Sequence, residues 1–253
     1  MILKNTVKIK KITYARSELT QLKKIYQSTT DFENFLIQNG ALDKTTNSVL
    51  DIGCGYGSQI QYFSRKHPNI NFTGWDYSRK KIYIARILNK SSKNKFLIQN
   101  LLKINRSKSY GFDLMFSIHT LCCFKNINKV LESITKVKSK FIAINSLFYD
   151  GPLDVLIHIR DLANPKIKDD NPDGDFNIHS LQSVKQILLY NGYKLVKIKK
   201  YFPKYKIKKP QKKKRGSYTI RTEFNKHTVF SGPVHLPWYF LLAKKIKVTH
   251  DKK

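Results

Sequence analysis

"VLDIGCGYGSQI", Val49 to Ile60, sets an apolar run ending at Asp51-Ile52 directly ahead of three glycines, Gly53, Gly55 and Gly57. The chain has only 11 glycines among 253 residues, so this concentration needs a local cause. A glycine turn between a buried strand and a helix lets the backbone pass close to a ligand. The helix that follows offers unpaired N–H groups and the positive end of its dipole. The spacing is not the GxGxxG that suits a dinucleotide pyrophosphate, and no GK[ST] follows as in a P-loop, so a phosphate cradle is the weaker reading.

Outward from this turn, "SVLDIG" predicts a buried strand, "SQIQYFSRKHP" a helix stopped by Pro68, and "INFTGWDYS" a second strand ending in Asp76. The alternation continues through "KKIYIARILNKS" (helix), "KFLIQN" and "GFDLMFSI" (strands), "INKVLESITKV" (helix) and "KFIAINSLF" (strand). Strands separated by helices in this rhythm predict a parallel sheet with helices on both faces. Upstream, residues 18–40 predict a helical lead-in with a break at Thr29-Thr30-Asp31 and a stop at Gly40. Downstream, "HSLQSVKQILLYNG" predicts a helix, "YKLVKIKKYF" a strand, "SYTIRTEFNKHTVF" a hairpin about Asn225-Lys226, and "PWYFLLAKK" a last core strand.

Asp76 ends the second strand and projects over the crevice of the glycine turn, where a carboxylate can accept both hydroxyls of a ribose. "DIGCGYG" followed by "GWDYS" resembles the S-adenosylmethionine site of class I Rossmann-like methyltransferases, over roughly Val49 to Phe148. The resemblance implies an α/β, Rossmann-like three-layer sandwich whose mostly parallel seven-stranded sheet has an antiparallel last strand. It implies S-adenosyl-L-methionine as cofactor, with the glycine motif at its amino-acid part and Asp76 at its ribose. The cofactor-binding set it implies is Asp51, Gly53, Cys54, Gly55, Gly57, Asp76, Tyr77, Asn100, Leu101 and Ser117. Asn100 stands where the family usually carries an aspartate near the adenine, and an amide can still bond the adenine edge. "FDLMFSIHTLCCF" resembles the segment that runs under the cofactor, which brings Ser117 and His119 toward the crevice, although Asp113 and His119 equally fit a strand edge or helix start.

The second half, including "FSGPVHLPWYFLLAKK", more faintly resembles bacterial methyltransferases of surface polysaccharide and other small-molecule pathways. The expected reaction is methyl transfer to an oxygen or nitrogen of a small molecule, with a sugar or nucleotide-sugar favoured. A sulfonium methyl is already activated, so the protein chiefly aligns the nucleophile and adds at most one general base. His119 and His179 are the candidates for that base. The expected organisation is one domain over 1–253: a lead-in (1–46), a cofactor-binding core (47–148) and a sheet-completing part with substrate-side insertions (149–253).

Charge admits a second partner class. There are 48 basic and 17 acidic residues, a formal +31, which attracts nucleic acid or anionic membrane without specifying either. Lys194 to Arg215 carries 12 basic residues interleaved with Tyr201, Phe202 and Tyr205, the pattern of an RNA methyltransferase gripping a phosphate backbone and stacking bases. Only eight of the basic residues are arginine, and with Ile and Asn also plentiful the lysine drift of an AT-rich genome explains the same composition. A third reading is a binding protein that keeps the cofactor pocket without chemistry.

Other signals narrow the field. Cys54, Cys122 and Cys123 form neither a disulfide framework nor a zinc site, which fits a reducing, cytoplasmic setting. "DDNPDGD" begins like a calcium loop, but Ser180 stands where the bidentate glutamate belongs, so no metal is expected. Vicinal Cys122-Cys123 lacks the preceding proline of cytosine-C5 methyltransferases, and no [DN]PP[YFW] marks exocyclic-amine methylation. The opening "MILKNTVKIKKITY" has no signal-peptide core, and no apolar run approaches the roughly 20 residues of a spanning helix.

Overall fold

The computed structural model describes residues 25–89, 91–104, 110–159, 176–211 and 216–246. Its helices are α1 (Gln27–Gln38), α2 (Ser58–Lys66), α3 (Arg79–Leu88), α4 (Ile127–Ile134) and α5 (Leu181–Tyr190). Its strands are β1 (Ser48–Ile52), β2 (Asn71–Asp76), β3 (Lys95–Ile98), β4 (Leu114–Ile118), β5 (Phe141–Tyr149), β6 (His179–Ser180), β7 (Tyr193–Lys200), β8 (Ser217–Arg221), β9 (His227–Ser231), β10 (Val234–Leu236) and β11 (Trp238–Lys245).

The main sheet runs β3-β2-β1-β4-β5-β11-β7, with the two-residue β6 beside β5. Strands β1 to β5 pair in parallel, and β11 inserts antiparallel between β5 and β7. This is the Rossmann-like sheet with one antiparallel strand. Its central strands are buried along nearly their whole length because both faces are covered. On one face Val49, Phe72, Phe116 and Phe240 pack with Phe32 and Phe35 of α1 and Phe63 of α2. On the other, Leu50, Met115, Ile142 and Ile144 pack with Val130 and Leu131 of α4 and Val184 of α5. Neighbours along a strand fall in opposite layers, the period-2 signature of a sheet buried on both sides. Each such side chain contributes about 1.5–3 kcal/mol by leaving water.

Helix starts follow from side-chain chemistry. Ser78, Asn126 and Ser180 each accept a backbone N–H of the first turn of α3, α4 and α5. The break expected at Thr29-Thr30-Asp31 is absent: α1 runs through it. These residues lie in its first turns, where Thr30 Oγ1 donates to the Gln27 carbonyl at 2.8 Å and the Gln27 amide donates to Thr30 Oγ1 and Asp31 Oδ1. Residues 18–24 of the expected lead-in lie outside the described residues. Helix α1 is tied to α2 by buried Glu33, which accepts from Tyr62 Oη (2.7 Å) and Lys66 Nζ (2.7 Å) and meets His67 Nε2 at 2.8 Å. Burial works to raise the Glu33 pKa, but the Lys66, Tyr62 and His67 hydrogen bonds outweigh it and hold the carboxyl below its usual range.

Two features were not anticipated, β6 and a second, three-stranded antiparallel sheet, β8-β9-β10. The expected hairpin is β8–β9, turning at Asn225 in left-handed conformation (φ 61°). Tyr201 is a core residue instead of a base-stacking platform. It is 8% exposed, stacked on Phe240 with centroids 4.8 Å apart, and its hydroxyl donates to Asp31 at 3.2 Å. The "DDNPDG" stretch and Lys212 to Arg215 lie outside the described residues. No described helix is long and apolar enough to cross a membrane.

Candidate active site

The first glycine turn is pinned by the end of β2: Gly53 and Cys54 both donate to the Trp75 carbonyl, at 2.7 and 3.0 Å. All three glycines have positive φ, between 53° and 75°. Sequence reasoning assigned them to ligand approach, yet at two of them the close neighbour is the protein itself. A Cβ on Gly53 would collide with the Thr120 side chain, and one on Gly57 would meet the Phe96 ring and the Asn89 amide. Gly57 also serves as the left-handed N-cap of α2, whose first residues, Ser58 and Gln59, present the helix N-terminus to the cleft.

That cleft, about 470 Å³ in volume, opens at the carboxyl ends of β1, β2 and β4. It brings together Gly53, Cys54, Gly55, Asp76, Tyr77, Asn100, Leu101 and His119. Asp51, Gly57, Ser117 and His179 are not on its lining. Among the described residues Asp76 accepts from Gly55 N (3.0 Å) and Ser78 N (2.8 Å), one bond per carboxylate oxygen, which leaves each oxygen a lone pair for a hydroxyl. Asn100 spends its Oδ1 capping Leu102 N at 2.9 Å, so what it offers an adenine edge is its NH2. Tyr77 is 58% exposed beside Asp76. Ser117 lies beneath, its hydroxyl donating to the Ile52 carbonyl. Asp113 sits at the other end of the sheet, accepting from Asn47 and Ser48, and is structural.

Asp51 is buried under the turn, and its Oδ2 has no partner among the described residues. Burial first, then the negative charge of Asp76, push its carboxyl well above the usual range. A buried acid without a counter-charge is suited to a cationic ligand. These groups fit S-adenosylmethionine: a buried acid beneath the turn for its cationic portion, a carboxylate to accept from ribose hydroxyls, an amide NH2 for adenine and a helix N-terminus for its carboxylate.

His119 closes the cleft at the end of β4, with Thr120, Cys123 and Phe124 beside it. Its ring lies on Trp238, centroids 4.3 Å apart, and burial pulls its pKa down to about 4. His179 is fully buried on β6, 3.9 Å from Asp154, against the Leu121–Phe124 turn whose residues Cys123 and Phe124 form the wall. Burial lowers its pKa also. Sequence reasoning missed Thr120, Lys81, Gln59 and Phe124. Thr120 carried a usable signal, since it directly follows His119 in the segment that runs under the cofactor. Among the described residues no group of histidine, cysteine or acidic side chains could hold a metal ion.

A methyltransferase-domain family model matches residues 43–199, more than half of the chain. The chain belongs to the methyltransferases. Its fold and glycine motif place it in their class I, S-adenosylmethionine-dependent division. No curated protein matches it in sequence. Solved structures share the fold at low identity. An S-adenosylmethionine-dependent methyltransferase from Mesorhizobium loti is 13% identical with a TM-score of 0.53, covering 82% of this chain and 95% of its own. The mitomycin 7-O-methyltransferase MmcR is 15% identical with a TM-score of 0.51, covering 86% and 54%. Against the [4+2]-cyclase SpnF and a Galdieria sulphuraria protein provisionally assigned as a sarcosine dimethylglycine methyltransferase, the chain spans 54% and 62% of the length of each.

Proposed function

We propose that this methyltransferase transfers a methyl group to an oxygen or nitrogen of a small molecule, and that a sugar or nucleotide-sugar is the acceptor class. The observation that carries the reading is the convergence of Gly55, Asp76 and His119, from three strand ends, on one cleft. When bound, S-adenosylmethionine supplies a sulfonium methyl activated for in-line displacement. Gly53 to Gly55 and the start of α2 hold its amino-acid end, Asp76 its ribose, and Tyr77, Asn100 and Leu101 its base. Asp51 neutralises its positive charge from below.

The acceptor sits against Ile118, His119, Thr120, Cys123 and Phe124, a wall of uncharged side chains that suits a neutral hydroxyl or amine. His119 on this wall, rather than buried His179, is the residue we place beside the reacting atom. The sugar class rests on the resemblance of the second half to polysaccharide-pathway enzymes. RNA is the weaker partner because Tyr201, one of the aromatics expected to stack bases, is committed to the core. The test is incubation with methyl-labelled S-adenosylmethionine and a cell extract, with and without ribonuclease. Label should enter a small-molecule fraction whatever the ribonuclease treatment. Label confined to a ribonuclease-sensitive fraction would overturn the acceptor class, and none at all the activity.

A further inference from the structure

His119 leaves β4 in left-handed conformation (φ 59°), rare for a residue with a side chain, so its surroundings must hold it there. Asn145 of β5 grips it twice. The His119 N–H donates to the Asn145 carbonyl at 2.9 Å, and the Asn145 Nδ2 lies 3.4 Å from the ring Nε2. Asn145 pairs with Ile118 on one side and Phe240 on the other, in a layer otherwise filled by Phe116, Ala143 and Leu147. It is 1% exposed, a place where an amide is costly unless it is used. Trp238 covers the ring from β11. Main chain, one ring nitrogen and one ring face of His119 are thus all held, by residues that no sequence motif singled out.

An amide NH2 can only donate, so the nitrogen opposite it must bring a lone pair. In a neutral imidazole the proton then resides on the other nitrogen. We propose that Asn145 is a positioning residue that locks His119 as the Nδ1–H tautomer, so that His119 donates a hydrogen bond to the methyl acceptor instead of removing its proton. This rests on the methyl-transfer reading above. An oxygen acceptor keeps one lone pair on Nδ1–H and attacks with its other. Its bond to the methyl carbon forms as the carbon–sulfur bond breaks, the electron pair stays on sulfur, and the acceptor's proton passes to water. Such a site favours oxygen over nitrogen acceptors, because an amine has a single lone pair and cannot accept from Nδ1–H and attack at once.

The test is a two-bond proton–nitrogen correlation spectrum of the whole protein carrying 15N-histidine, with His119 assigned through the His119→Gln variant. Wild type should show the Nδ1–H pattern for His119 from about pH 6 to about 8. Asn145→Asp, near-isosteric but able only to accept when ionised, should invert the pattern to Nε2–H. A wild-type Nε2–H pattern, or no change in a folded Asn145→Asp variant, would overturn the proposal. The wild-type spectrum decides even where the variant does not fold. Calorimetry with S-adenosylhomocysteine on the same samples isolates the underlying reading, because loss of cofactor binding would sink methyl transfer without altering the tautomer.

Discussion

The hydroxyl of Thr120 donates to the carbonyl of Gly53 across 3.3 Å, and its side chain fills the space that a Cβ on Gly53 would need. The cofactor turn and the segment carrying His119 are therefore one packed unit. Gly53→Ala should lower both melting temperature and cofactor affinity, with about 1–2 kcal/mol from the left-handed backbone alone and more from the collision. Adding Thr120→Gly should relieve the collision but not the backbone cost, so the pair will be less damaging than the sum of the two singles. Additive losses would show that the contact does not couple the segments.

Asp51 is the second test. Its carboxyl is held well above the usual range by burial and by Asp76, and a bound cation should draw it back toward ionisation. Cofactor binding is then accompanied by proton release at pH values below the raised pKa, and affinity climbs with pH until that value is passed. Calorimetry in two buffers of different ionisation enthalpy measures the release directly. Asp51→Asn should abolish it, weaken binding, and leave the unliganded protein as stable or more so. A variant with unchanged affinity would remove Asp51 from the site.

For His119 the pH dependence has a definite sign. Its folded pKa, about 4, lies below the ordinary 6.5, so the unfolded chain binds more protons between those values. Stability therefore rises with pH up to about 6.5 and is lost progressively below it, and His119→Gln should flatten that slope. Turnover should show no limb from this residue between about pH 6 and about 8, because the ring is neutral throughout. A rate that climbs through the ordinary histidine range in wild type, and ceases to do so in His119→Gln, would restore a general-base role.

Glu33 acts in the opposite direction. Its folded pKa is depressed by the bonds from Lys66, Tyr62 and His67 despite its burial. The stability it supplies is full above the ordinary carboxylate range and is lost as pH falls through the folded value. Urea midpoints of wild type and Glu33→Gln should differ at neutral pH and converge in acid. A difference independent of pH would mean that Glu33 contributes packing only.

The glycine turn and the acid of β2 were legible because each is local: a strand, a turn and a helix declare themselves within 28 residues, Val49 to Asp76. Strands β4 and β5 were legible for the same reason, as short runs rich in apolar residues between helical segments. Asn145 and Trp238 were not, since they reach His119 only through the order β4-β5-β11, which joins strands far apart in the chain. Tyr201 misled because an aromatic among lysines looks alike whether it faces solvent or fills the core. Thr29 to Asp31 misled because residues that interrupt a helix interior are tolerated in its first turns, where Thr30 and Asp31 bond the Gln27 side chain and Thr30 its carbonyl.

The most direct test of the central claim is calorimetric titration of the purified chain with S-adenosylhomocysteine, beside the Asp76→Ala variant. One ligand should bind per chain, and the variant should lose about 1.5–3 kcal/mol for each ribose hydrogen bond removed, or more than tenfold in affinity. Absence of binding by the wild-type chain, or equal affinity in the variant, would contradict it.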